Sequence, residues 1–149
     1  MRLAIEQALH ADAIDEVPVG CVIVHEPTGQ VVGAAHNRRV ADHDPTAHAE
    51  MVALRQAGQT LGHWMLVDCV LYVTLEPCAM CAGAMINARI PRLVYGCDDP
   101  KAGAIRSLYR LCEDARLNHR VEAVGGVLVE ECSRPLKAFF QRQRSLGKK

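Results

Sequence analysis

Two short stretches constrain this chain more than any others: His48-Ala49-Glu50, and Pro77-Cys78-Ala79-Met80-Cys81 further on. One imidazole and two thiols make three borderline-to-soft ligands, a set that suits Zn²⁺. Structural zinc sites usually close with four protein ligands, whereas catalytic sites keep three and leave the fourth position to water. The chain has no second Cys-x-x-Cys, so the evident ligand set stops at His48, Cys78 and Cys81. A carboxylate, Glu50, lies two residues beyond His48. Three ligands, an open position and a nearby carboxylate describe a centre that activates water.

Both segments read as helix starts. Cys78 and Cys81 are three apart and share one helical face. The positive end of a helix favours thiolates over thiols. His48 and Glu50 are two apart, a poor spacing inside a helix. It becomes workable when His48 sits at the helix entry with non-helical dihedrals. Taken singly, Cys78 and Cys81 also read as buried or redox thiols, and Glu50 as an exposed first-turn carboxylate. Their coincidence with His48 argues for a metal.

A length of 149 residues predicts one domain, 1–149, with a real core and no need of disulfide staples. Hydrophobic residues make up 50% and net charge is zero, which argues against a strongly basic nucleic-acid binder but not against a local basic patch. Such a patch exists: the last seventeen residues carry six basic and no acidic side chains. Of seven cysteines, the five outside the metal motif sit mostly in apolar runs. They read as free thiols in a reducing cytosol, so a cytoplasmic location is expected. No signal peptide is evident, and no apolar run approaches the roughly 18–20 residues that span a bilayer.

Patterning predicts a helix to about Ile14, strands at Gly20–Val24 and Val31–Ala35 joined as a hairpin, and a functional loop from His36 to Ala47. A helix from His48 to about Gly58 follows, then a strand at Val67–Thr74 and a helix from Cys78 to about Ala88 opened by Pro77. The remainder reads as a strand at Arg92–Tyr95, a loop at Asp98–Gly103 and a helix at Ala104–Leu111. A strand at Val121–Val129 and a helix at Glu130–Arg144 close the chain. The long connection before the last strand allows a parallel crossover. The expected fold is therefore α/β, a five-stranded mixed sheet with helices on both faces.

The combination H-x-E and P-C-x-x-C marks zinc nucleobase deaminases in general. The resemblance extends further. Val17-Pro18-Val19-Gly20, His43 to Glu50, Tyr72 to Cys78, Met80 to Ile86, Lys101-x-Gly103-Ala104, Asn118-His119-Arg120 and the closing Phe139-Phe140 with Arg142 and Arg144 are similar to the bacterial tRNA adenosine deaminases. The similarity runs from the first helix to about Arg144. It implies a three-layer α/β/α cytidine-deaminase-like fold, a homodimer, and conversion of wobble adenosine to inosine in an arginine tRNA. It implies one Zn²⁺ per chain on His48, Cys78 and Cys81, Glu50 as proton shuttle, and Asn37 as a contact to the flipped nucleoside. Asp99, Lys101, Phe139, Phe140, Arg142 and Arg144 match regions that meet RNA. Taken bare, Asn37 reads as a turn residue, Phe139 and Phe140 as core of an amphipathic helix, and the basic tail as a solvated face. The chain departs from the family pattern at its short N-terminus, at Cys97-Asp98 and at Ala115-Arg116. Two other readings stand at this point: a deaminase of the same fold for guanine, cytosine or a free nucleoside, and a structural zinc module. The second needs a fourth protein ligand and gives Glu50 no job. The segment Ala82–Ile90 is apolar on more than one face and its small residues let a partner approach, which also predicts a dimer.

Overall fold

The structure, a computed structural model, describes residues 1–147. The two terminal lysines of the basic tail lie outside the described residues. Helix α1 (Arg2–Ala13) precedes the hairpin β1 (Gly20–His25) and β2 (Gln30–His36). Then come α2 (Ala49–Leu61), β3 (Cys69–Leu75), α3 (Ala79–Asn87), β4 (Arg92–Cys97), β5 (Glu122–Val124) and α4 (Val129–Ser145). The sheet order is β2-β1-β3-β4-β5. β1 pairs antiparallel with both β2 and β3, while β3, β4 and β5 run parallel. The mixed five-stranded sheet and the parallel last crossover match the expectation.

Small residues let the helices lie close to the sheet. α1 buries Ala4, Ala8 and Ala11 in one stripe. It runs so close to β1 that a Cβ at Gly20 would collide with the Ala4 carbonyl and the Ala8 amide. α2 buries Ala49, Ala53 and Ala57, again one stripe, with Leu54 beside it. The core between sheet and helices is filled by Ile23, Leu71, Val73, Leu93, Tyr95, Met85 and Ile90. In α4 the residues Cys132, Leu136 and Phe139 are buried at helical spacing as an apolar face, and buried Gln143 extends it by donating to Asp15 Oδ1 at 2.7 Å.

Two expectations need correction. The segment Ala104–Leu111 is not a helix; turns lead into a single 3₁₀ turn at Leu111–Glu113. The backbone N–H groups of Ile105, Arg106 and Ser107 donate to the Glu76 carboxylate, so they are not spent on a helical ladder. The last strand is three residues long, not nine. Gly126 and Leu128 both have positive φ, 85° and 53°, and turn the chain straight into α4.

The topology gathers loops at one end of the sheet. Because β3 and β4 are parallel and β1 is antiparallel to β3, that end collects the entry to β1, the exit of β2 and the exits of β3 and β4. The carboxyl ends of parallel strands are where open α/β sheets form ligand crevices.

Candidate metal centre and substrate pocket

The helix entries do the positioning. His48 precedes α2 with φ −71° and ψ 152°, and Cys78 precedes α3 with φ −74° and ψ 175°. Extended backbone at both positions turns the side chains out of the helices and toward each other. The N-terminal amide of α2 is capped from a distance: Ala49 N–H donates to Asn37 Oδ1 at 3.0 Å. Asp44 shapes the approach, accepting the Thr46 amide and hydroxyl at 2.7 Å each.

His48 Nδ1 lies 3.7 Å from Cys78 Sγ and 3.6 Å from Cys81 Sγ, and the three ligand atoms all fall within 4.8 Å of one another. A tetrahedral site with Zn–S of about 2.3 Å and Zn–N of about 2.0 Å has an N···S edge of about 3.6 Å. The residues therefore fit a zinc ion. The cluster's charge fits too. A hydrogen bond from Cys81, with His48 assisting, holds the Cys78 thiol down at about 3. His48 is raised, chiefly by its bond to that sulfur. Cys81 is pushed up as the donor to Cys78 and by burial. An anionic sulfur ringed by protons is the arrangement a divalent cation would take over, ionising the second thiol as well. Among the described residues this is the one group of three or more His, Cys, Asp or Glu placed to hold a metal.

Glu50 sits in the first turn of α2, 4% exposed, and burial raises its pKa. It lines a cavity of about 520 Å³ together with His48, Cys78, Asn37, Asp99, Lys101, Phe140 and Arg144. Asn37 is buried at the rim. Its amide group donates to the Val17 carbonyl at 3.2 Å, which uses one of two hydrogens. Asp99 Oδ1 accepts the Lys101 and Ala102 amides and so shapes the turn that carries Lys101.

Phe139 and Arg142 stand apart from the residues gathered there. Phe139 is buried beneath α4, and Arg142 pairs with Asp12 of α1 at 2.6 Å over the Phe139 ring. The Cys97-Asp98 departure has a local partner: Asp98 holds Arg106 at 2.7 Å. Sequence reasoning missed several residues of the cavity. Val17, Arg39 and Leu136 also line the cavity, as does Glu76, which is only 2% exposed. Of these, Val17 and Glu76 lay in stretches already singled out, Val17-Pro18-Val19-Gly20 and Tyr72 to Cys78.

Residues 1–97 match the model of the cytidine and deoxycytidylate deaminase zinc-binding region. The chain belongs to this deaminase family. It is 46% identical to the tRNA-specific adenosine deaminase of Haemophilus influenzae over 144 residues, 97% of this chain and 83% of that one. It is 44% identical to the Bacillus subtilis protein of the same name, covering 99% of this chain and 91% of that one. A solved structure from work on tRNA:A34 deaminases and A-to-I editing at the wobble position is 42% identical, with a TM-score of 0.87. That match covers 91% of this chain and 97% of the other. The chain is thus an enzyme of the deaminase class, on the branch that carries the tRNA-specific adenosine deaminases.

Proposed function

We propose that this deaminase converts adenosine to inosine hydrolytically at the wobble position of a tRNA anticodon loop, with an arginine tRNA as substrate. The observation that carries the reading is Glu50, buried and facing the cavity beside a three-ligand cluster with no fourth His, Cys, Asp or Glu grouped with it among the described residues. A structural zinc module would want that fourth ligand. Full-length likeness to tRNA-specific deaminases supports the choice of base and of RNA.

His48, Cys78 and Cys81 would hold one zinc ion per chain. When bound, zinc supplies Lewis acidity that brings the pKa of water toward neutrality. Glu50 takes one proton from the attacking water as the new C6–O bond forms and passes it to ring N1, then takes the second from the C6 hydroxyl and passes it to the departing amine as the C6–N bond breaks. Water and adenosine become inosine and ammonia. Burial suits Glu50 to this traffic, because desolvation raises its carboxyl and makes it a better proton acceptor than an exposed carboxylate. Asn37 orients the base with its remaining amide hydrogen. Lys101, Phe140 and Arg144 line the mouth, where flanking RNA would lie. A wobble base already in a hairpin loop costs little to extrude.

The active form is a homodimer. α2 and α3 flank an apolar groove of about 690 Å³ in which Leu54, Ala84, Ala88 and Trp64 take part. Trp64 is 63% exposed, a large aromatic left to water in one copy. Sedimentation at micromolar concentration should give twice the chain mass; a monomer would remove this part of the reading. No helix among the described residues is long and apolar enough to cross a membrane. All seven cysteines are free, in keeping with a cytoplasmic, reducing location. The test of base choice is deamination measured side by side on a wobble-adenosine stem-loop, guanine and cytidine. Inosine in the stem-loop alone is expected, and turnover of guanine or cytidine instead would overturn the assignment.

A further inference from the structure

Glu76 has no part in the chemistry above, yet it is as buried as any charged side chain described. It follows β3 and precedes Pro77-Cys78. Oε1 accepts the amides of Ile105, Arg106 and Ser107 at 3.1, 2.8 and 2.9 Å. Oε2 accepts the Asp99 amide at 3.0 Å and the Ser107 hydroxyl. Four amides and a hydroxyl fill the lone pairs of one carboxylate, which is what a buried anion requires. The segment 98–107 thereby wraps around Glu76. Gly103 permits the wrap, because a Cβ there would strike the carboxylate. Two further ties close it: Ala104 N–H donates to the Pro77 carbonyl at 2.8 Å, and Arg106 clasps Asp98 from outside. At the tip of this segment, Asp99, Pro100, Lys101 and Ala102 form one wall of the cavity.

We propose that Glu76 is the positioning residue of the substrate pocket, holding 98–107 as a rigid wall so that Asp99 and Lys101 meet the nucleotide in a fixed place. The proposal rests on the reading that this cavity takes an RNA nucleotide. Glu76 is not a second proton carrier, since both its oxygens are committed to backbone and hydroxyl donors. Glu76 itself borders the cavity, but with its oxygens spent its effect on the substrate runs through the wall.

Glu76→Gln keeps the shape and turns one acceptor into a donor, so either the Ile105–Ser107 amides or the Asp99 amide lose their partner. Amide hydrogen exchange of the zinc-loaded protein should quicken about tenfold or more at Asp99 and Ile105–Ser107 while β1 and β3 stay as protected as in the parent. KM for the stem-loop should rise about tenfold, with kcat within about threefold and zinc content unchanged. Lys101→Ala should add little in the Glu76→Gln background, because the wall that places Lys101 is already loose. A merely structural role would instead make the two effects multiply. Ser107→Ala removes one donor and introduces none, and should give the same pattern at smaller size if Glu76→Gln folds poorly. Unchanged exchange at these four amides, an unchanged KM, or independent effects of the two substitutions would each overturn the proposal. If the parent failed to act on the stem-loop, the functional reading would fall, while the exchange experiment would still decide whether Glu76 holds the wall.

Discussion

The floor and the wall of the pocket each contain a buried glutamate, and the two are used in opposite ways. Glu50 on the floor is 4% exposed and Glu76 in the wall 2%. Burial raises both. At Glu50 it prevails, and the carboxyl stays above its ordinary range while facing the cavity. At Glu76 the Ser107 hydroxyl and the backbone amides overcome it and bring the carboxyl down to about 2. Residue type thus sets what a carboxylate can do, and the donors around it decide what it does. An acceptor with spare capacity can move protons; one with every lone pair filled can only hold structure.

That contrast breaks most completely when the floor loses its metal. Cys78→Ala and Cys81→Ala should each lose most of the zinc and all detectable deamination, as read by metal analysis beside an inosine assay. Full zinc retention in both variants would refute the ligand assignment. Next in size is Glu50→Ala, which should keep zinc and fold yet lose about 10²–10⁴-fold in kcat, the range of general acid–base groups. Turnover within about tenfold of the parent would move the proton traffic elsewhere and leave floor and wall alike.

The α4 residues sharpen the comparison at lower cost. Phe139 is buried under the helix and Phe140 opens onto the cavity. Phe139→Ala should destabilise the fold by about 3 kcal/mol in denaturant titration. Phe140→Ala should leave stability within about 1 kcal/mol and instead weaken stem-loop binding by about 1–2 kcal/mol, the scale of a lost base–aromatic stack. The smallest effects belong to the arginines. Arg144→Ala should reduce the salt dependence of binding by a slope of about 0.7, one phosphate contact on a single strand. Arg142→Ala, which removes a partly exposed ion pair with Asp12 and a contact over the Phe139 ring, should change stability by about 1 kcal/mol and leave that slope alone.

How far the molecule could be read in advance follows the same division. The floor is written in letters: His48, Glu50, Cys78 and Cys81 announce themselves by type and spacing, and the non-helical entry foreseen for His48 is what its dihedrals show. The wall is not. Its donors are backbone amides 23 to 31 residues from Glu76, and an amide has no letter of its own. The same hidden bonds explain why Ala104–Leu111, helical in pattern, is not a helix. Tertiary demand for those N–H groups outweighed local propensity. Phe139 and Phe140 are adjacent, so only the docking angle of α4 could tell core from pocket. The hairpin and the strands up to β4 were legible because β-branched apolar runs reflect burial directly.

The most direct test of the central claim, that this floor and wall serve an RNA-borne adenosine, is turnover of an anticodon stem-loop against free adenosine at equal concentration in moderate salt. Clear preference for the stem-loop, fading as salt rises, is the predicted result. Equal or faster turnover of the free nucleoside would contradict it and make this a small-molecule deaminase.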